Sequence, residues 1–243
     1  MSYIKVIDTE TTGLHSPSIV EIGCCELSEE LTIPEEGIYS DLVSTDDIIE
    51  LGAMCVHNIT PEMIEGSPVI EDVIGKYKPT SNTKYIVGHN IEVFDLKVLP
   101  QGFIEEGSDV RVLDTLKLAR KLVPKDHYGN HKNITLYYGL QCYKTFPIGE
   151  YQGVAHRASF DCFMTASILV DLLNRFGMTM DQAYDLIQPD ITRCKFKKYS
   201  NVPWCEVIKD DESYVEWLLE NIEWNCEKEK AYVTDLLVNI KYP

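Results

Sequence analysis

The stretch Tyr3-Ile4-Lys5-Val6-Ile7-Asp8-Thr9-Glu10-Thr11-Thr12-Gly13 decides how this chain is read. Ile4, Val6 and Ile7 give Tyr3 to Ile7 the composition of a core strand, and it runs without a break into polar residues. In an extended chain, residues two apart face the same side, so Asp8 and Glu10 point together while Thr9 points away. Gly13 then offers a place for the backbone to turn sharply. Two carboxylates emerging from a core strand face the edge of a site, and they need cations or hydrogen bonds to offset their desolvation.

Two more acidic positions lie in defined local contexts. Asp95 closes His89-Asn90-Ile91-Glu92-Val93-Phe94-Asp95, directly after the short apolar strand Tyr85-Ile86-Val87. A helix following such a strand and loop can swing a carboxylate over the sheet edge. Asp161 closes His156-Arg157-Ala158-Ser159-Phe160-Asp161. Five helical residues rotate a side chain by about 140°, so His156 and Asp161 cannot share one helical face. The spacing therefore puts His156 on a loop after Gly153-Val154-Ala155 and Asp161 in the helix that follows. Asp8, Glu10, Asp95 and Asp161 offer hard oxygen ligands with no thiolate cluster, a donor set for Mg²⁺ or Mn²⁺. Four carboxylates can hold two such ions, one activating water and one stabilising the leaving oxygen of a phosphodiester. His156 is placed to take the proton from that water.

The surrounding pattern predicts a mixed α/β sheet flanked by helices. Ile19 to Leu27 and the segment around Gly37 to Val43 have strand composition and follow the first strand as an antiparallel meander. Thr60-Pro61-Glu62-Met63 is a helix start with proline at the first helical position. Helical stretches are expected over Val69 to Tyr77, around Asp95, over Asn133 to Leu140, Ala158 to Leu173 and Gly177 to Ile187. Val110 to Leu113 is a further strand, and Asp114 caps a helix over Thr115 to Leu122. Gln188-Pro189 breaks the pattern. Cys194 to Trp204 is expected to form a short hairpin, followed by helices at Glu212 to Asn221 and Glu227 to Val238. The chain thus divides into a main domain, 1–187, and a small C-terminal α+β module, 190–243.

Composition bounds the function. At 243 residues with 44% hydrophobic content, the chain can bury one substantial core. No apolar run approaches the roughly 20 residues that span a bilayer, and the N-terminal residues lack the charged and long apolar regions of a signal peptide. The eight cysteines include no C-x-x-C pair, which points to free thiols in a reducing cytoplasm rather than disulfides or zinc. Cys55 and Cys162 lie in apolar stretches and are expected to pack as small hydrophobes. The net charge of −17 runs against a polyanionic partner. It is uneven, however: Arg111, Lys117, Arg120, Lys121, Lys125 and Lys132 cluster, as do Arg193, Lys195, Lys197 and Lys198.

The three acidic segments together resemble the motifs of the DEDDh branch of the DnaQ-like 3′→5′ exonucleases, in order and over about residues 3 to 175. Asp8-Thr9-Glu10-Thr11-Thr12-Gly13 is similar to the first motif, His89 to Asp95 to the second, and His156 to Asp161 to the third. The resemblance implies a ribonuclease H-like fold and a two-metal 3′→5′ exonuclease that releases 5′-mononucleotides. It implies Asp8, Glu10, Asp95 and Asp161 as ligands of two Mg²⁺ ions (with Mn²⁺ as a substitute) and His156 as the base. Val56-His57-Asn58-Ile59-Thr60 resembles the family's H-G-I-T segment beside the 3′-terminal nucleotide, with Asn58 in place of glycine. Thr9, Thr11, Thr12, Gly13, His57, Asn90 and Phe94 are then candidate substrate-binding residues, Phe94 by stacking on a base. The tail, Phe196-Lys197-Lys198-Tyr199 and Tyr214 to Leu219, resembles the C-terminal module of exodeoxyribonuclease X-like proteins. Lys197 and Asn201 stand where that F-G-K-Y-x-G pattern has glycines. DNA with a free 3′ end is the implied partner, with no membrane. A 3′→5′ exoribonuclease or a polymerase proofreading exonuclease is the alternative.

Overall fold

The computed structural model describes residues 3–34, 36–147 and 157–241. The chain divides into two compact units, Met1–Ile187 and Gln188–Pro243.

The first unit is built on a five-stranded sheet. Strands β1 (Ile4–Thr11), β2 (Ile19–Leu27) and β3 (Ile38–Leu42) form the expected antiparallel meander. Helices α1 (Leu51–His57), α2 (Pro61–Ile64) and α3 (Ile70–Tyr77) lead to β4 (Tyr85–Gly88), which pairs parallel to β1. After α4 (Asp95–Val98), β5 (Arg111–Asp114) adds parallel to β4. The order is β3-β2-β1-β4-β5, so β1 is central. Helices α5 (Thr115–Leu122), α6 (Lys125–Tyr128), α7 (Asn133–Gly139), α8 (Ala158–Phe176) and α9 (Met180–Ile187) complete the unit.

Both faces of the sheet are covered, which is why its central strands are buried at nearly every position. The two-residue period of β1 sorts its side chains. Ile4 and Val6 join the core beneath α8, with Leu169, Leu172 and Leu173. Ile7 belongs to the opposite core, with Ile74 and Tyr77 of α3 and with Ile91 and Leu99. Lys5, on the same side as Ile7, sends its Nζ to the Lys76 carbonyl at the end of α3, 2.8 Å away. Asp8 and Glu10 therefore continue the α8 face, and Thr9 continues the α3 and α4 face.

The predicted Asp114 cap is present: its carboxylate accepts from the amides of Leu116 and Lys117. The helix α1 was not anticipated. Its apolar residues are largely exposed, and His57 is its one buried residue, so no amphipathic stripe marks it in the sequence. Cys162 is buried as expected, whereas Cys55 is exposed on α1. All eight thiols are free.

The second unit is helical: α10 (Trp204–Asp210), α11 (Glu212–Asn221) and α12 (Glu227–Lys241) enclose Trp204, Trp224, Val215 and Val233. The expected hairpin over Cys194 to Trp204 reduces to one isolated bridge between Arg193 and Pro203. A 3-10 turn at Lys197–Tyr199 consumes the loop, and Pro203 has no amide to extend a ladder. Asn201 adopts φ 66°, the left-handed conformation that asparagine tolerates. Of the basic residues here, Arg193, Lys195 and Lys198 are paired with Asp190, Glu229 and Asp211.

Candidate active site

Asp8, Glu10 and Asp161 converge, each offering a carboxylate oxygen within 4.8 Å of the others. Asp8 and Glu10 come from the α8 face of β1, and Asp161 from the first turn of α8. Gly23 makes this meeting possible. It lies opposite Asp8 on β2, and a Cβ there would stand 2.4 Å from the backbone carbon of Ala158. Only glycine lets the start of α8 rest on the sheet, and that contact brings Asp161 down to Asp8.

Asp95 arrives from the other face and is not one of the converging three. It is buried, and its Oδ1 accepts two hydrogen bonds from Thr9, from the amide at 3.0 Å and the hydroxyl at 2.8 Å. Thr9 does point away from Asp8 and Glu10, as the strand period requires, and it points at Asp95.

The electrostatics are those of a buried anionic cluster. Burial, then the charges of Asp161, Asp95 and Glu10, push the Asp8 carboxyl well above the usual range. Burial, with Asp161 and Glu21, raises Glu10 to about 8. Asp161 rises to about 7 through burial and Glu21. Asp95 rises only to about 6, because the Thr9 hydrogen bonds oppose its burial. Carboxylates this desolvated and this close stay ionised together only beside a cation. The donor set is all hard oxygen, so the residues fit divalent metal ions.

Glu21 was not singled out in the sequence. It is fully buried on β2 opposite Glu10. It accepts from Arg157 Nε at 2.9 Å, Arg157 Nη2 at 2.7 Å and the Ala158 amide at 3.0 Å. Ser40 adds a fourth hydrogen bond at 2.9 Å. This clamp fixes the start of α8 immediately after His156. His156 itself lies outside the described residues.

Beside the cluster is a pocket of about 390 Å³ lined by Glu10, Thr11, Gly13, His57 and Phe94 among others. Phe94 is half-buried and borders the opening. His57 is buried, and its ring is spoken for: Nδ1 accepts from the Ile59 amide at 2.9 Å, and Nε2 lies 3.2 Å from the Thr11 carbonyl. Burial lowers its pKa, so the neutral ring donates from Nε2 and locks α1 to the end of β1. Asn58 caps α1 at φ 58° with its amide on the Met54 carbonyl, a left-handed conformation that asparagine tolerates. Thr11 and Thr12 are buried and serve the turn, Thr11 Oγ1 donating to the Gly13 carbonyl and Thr12 Oγ1 accepting from the Ser18 amide. Gly13 is not at positive φ. Its requirement is space, since a Cβ would lie 2.4 Å from the Glu50 carboxyl carbon. Asn90 is at φ 72°, and its amide donates to Asp114 at 2.9 Å. It organises the loop that delivers Asp95.

Comparison with known proteins fits this geometry. A family model described as an exonuclease, RNase_T, matches residues 6–169. The chain belongs to this exonuclease family. It is a hydrolase of the nuclease class, with the mixed sheet and helices of that family's ribonuclease H-like fold. It is 34% identical to exodeoxyribonuclease 10 of Escherichia coli K12 over 222 residues, covering 90% of this chain and 92% of that protein. A PolC-type DNA polymerase III from Listeria welshimeri is 30% identical over 173 residues, covering 69% of this chain but 11% of the polymerase. Among solved structures, exonuclease X in complex with 5′-overhanging duplex DNA superposes with a TM-score of 0.61 and 34% identity. That match covers 76% of this chain and 99% of the other. Escherichia coli exonuclease I bound to a dA16 oligonucleotide matches with a TM-score of 0.56 over 76% of this chain. At 16% identity, that likeness concerns the fold alone. Among the described residues no helix is long and apolar enough to cross a membrane.

Proposed function

We propose that this exonuclease removes nucleotides from the 3′ end of DNA with two Mg²⁺ ions, releasing 5′-mononucleotides in the cytoplasm. The observation that carries the reading is the convergence of Asp8, Glu10 and Asp161 into one buried oxygen cluster. Asp95 approaches from the other face of the same strand, tied to Thr9. These four carboxylates would hold the ions. Bound divalent ions supply charge neutralisation at the phosphodiester and lower the pKa of water.

The protein's own contribution is placement. Thr9 holds Asp95 by two hydrogen bonds to a single carboxylate oxygen, Oδ1. Glu21 and Arg157 fix the entrance to α8, which sets Asp161. His156 is assigned the role of base, accepting the proton from the attacking water. The pocket beside Phe94 is of the size that takes one small ligand. A terminal base can stack there on the Phe94 ring, while His57, Thr11, Thr12 and Gly13 shape its wall through the backbone.

DNA is favoured over RNA because exodeoxyribonuclease 10 aligns over 90% of this chain, more than the first unit alone can supply. The same extent favours a free-standing enzyme over a proofreading domain, since the polymerase match spans less of this chain. The first unit, 1–187, carries the chemistry in this reading, and 190–243 is its accessory module. A digestion panel tests it, with single-stranded DNA, 5′-overhanging duplex and RNA, each with Mg²⁺ or chelator. DNA shortened from its 3′ end only with Mg²⁺, and lost activity in Asp8→Ala and His156→Ala, is the expected result. Faster hydrolysis of RNA, or full activity in Asp8→Ala, would overturn it.

A further inference from the structure

The first basic cluster of the sequence is divided by the structure into paired and unpaired charges. Arg111 is ion-paired with Asp181, and Lys117 with Glu92. Arg120, Lys121, Lys125 and Lys132 have no ion pair among the described residues, and all four line a single pocket of about 840 Å³. Among the described residues no acidic side chain lines it, although the chain carries 39 acidic residues against 22 basic ones. Gathering four unpaired cations around one concavity raises the local potential and favours a multiply charged anion there.

The pocket is built rather than incidental. His89 lies at its base with Nε2 2.8 Å from the His131 carbonyl and Nδ1 2.9 Å from the Thr115 hydroxyl. Burial depresses its pKa, and its Nε2 donates to the His131 carbonyl. His131 in turn reaches the Val123 carbonyl from Nε2 at 2.8 Å, and the Lys132 amide donates to Asn130 Oδ1 at 2.9 Å. These bonds pin the loop bearing Lys125 and Lys132 to the end of β4 and to α5. The far wall leads to the active site. Asn133 lines the pocket, and its Nδ2 donates to the Asp161 carbonyl at 3.1 Å and to the Thr165 hydroxyl at 2.9 Å.

We propose that this pocket binds the phosphodiester backbone of the substrate strand on the 5′ side of the scissile bond. The inference rests on the exonuclease reading and adds a site to it. At about 840 Å³, the pocket is roughly twice the volume of the one beside Phe94, which suits more than one nucleotide unit. Its donors are long, flexible cations rather than groups arranged around a single base, so it grips phosphates without reading sequence.

The test is the salt dependence of binding for a 5′-fluorescein single-stranded oligodeoxynucleotide, read by anisotropy with Ca²⁺ replacing Mg²⁺. Each phosphate that a variant no longer neutralises lowers the slope of log K against log salt by about 0.7 on a single strand. Lys121→Gln/Lys125→Gln is expected to lower it by about 1.4, and Lys121→Arg/Lys125→Arg to keep the wild-type slope. Arg111→Gln/Lys198→Gln makes the same change in net charge at cations already paired, and is expected to leave the slope unchanged. Lys132→Gln, measured alone, gives a second reading should the double variant fail to fold. A wild-type slope in the pocket variants, or an equal drop in the control pair, would overturn the proposal. Failure of the wild type to degrade DNA with any divalent ion would sink the exonuclease reading instead, whatever the slope.

Discussion

The amide and the hydroxyl of Thr9 both donate to the same oxygen of Asp95. Because Thr9 lies between Asp8 and Glu10 on β1, one strand uses its two faces for one site. Two residues point at the converging oxygens and the residue between them holds the fourth carboxylate from behind. The double hydrogen bond favours the charged form of Asp95 against its burial, and so leaves its pKa at about 6. Thr9→Val keeps the shape and removes the hydroxyl donor. Loss of a hydrogen bond to a charged group costs about 1.5 kcal/mol, so kcat is expected to fall roughly tenfold. The acid limb of the rate profile should move to higher pH, because Asp95 holds its proton more tightly. An unchanged profile would show that the hydroxyl does not matter.

Glu21 acts on the same cluster from the second strand, by charge and by structure. Its charge raises Asp8, Glu10 and Asp161, while its oxygens hold Arg157 and the Ala158 amide. Glu21→Ala leaves Arg157 and that amide without their acceptor and is expected to cost about 3 kcal/mol in urea unfolding. Glu21→Gln keeps an acceptor but drops the charge. Its acid limb should therefore shift to lower pH, opposite to Thr9→Val. Parallel pH profiles of the two variants give the comparison.

What the sequence made legible here follows from short-range rules. The period of the strand placed Asp8 and Glu10 together and Thr9 apart, and Asp114 announced its own cap. Long-range partners were beyond those rules. Glu21 sits in the largely apolar run Ile19–Leu27, where nothing local marks its ion pair 136 positions away. Gly23 looks like any strand glycine until α8 is laid upon it. The basic clusters were visible, but which of their cations were already paired depended on where Asp181, Glu92 and Glu229 folded. The hairpin expected near Cys194 failed because alternation there signals packing around Trp204, not a ladder.

Removal of metal should make stability pH-dependent with a defined sign. Glu10, Asp161 and Asp95 hold protons up to about 8, about 7 and about 6 in the folded chain, against roughly 4 when unfolded. The folded state therefore binds more protons through this window, and stability falls as pH rises across it. In chelator, Tm is expected to decline from about pH 5 to about pH 8. A divalent ion at a hundred times its Kd should restore about 2.7 kcal/mol, with a larger gain at the alkaline end, where protons compete less. Asp161→Asn should flatten the decline and blunt the metal response. A Tm in chelator that rises across the window would contradict the clustering of these carboxylates.

Gly13 and Gly23 both exclude a Cβ at 2.4 Å, yet they differ in what yields. At Gly13 the obstacle is the end of the Glu50 side chain, on an exposed residue. At Gly23 it is the backbone of Ala158, at the root of the helix that carries Asp161. Gly13→Ala should therefore fold with nearly wild-type stability as Glu50 swings aside, and its effect should fall on KM through the reshaped Phe94 pocket. Gly23→Ala must lift α8 from the sheet. Overpacking of this kind costs about 1–3 kcal/mol, and separating Asp161 from Asp8 should weaken metal binding as well. Calorimetric titration of a divalent ion into both variants distinguishes them: affinity should fall for Gly23→Ala and hold for Gly13→Ala. The helix and the metal cluster are mechanically one object only if those two measurements part in that direction.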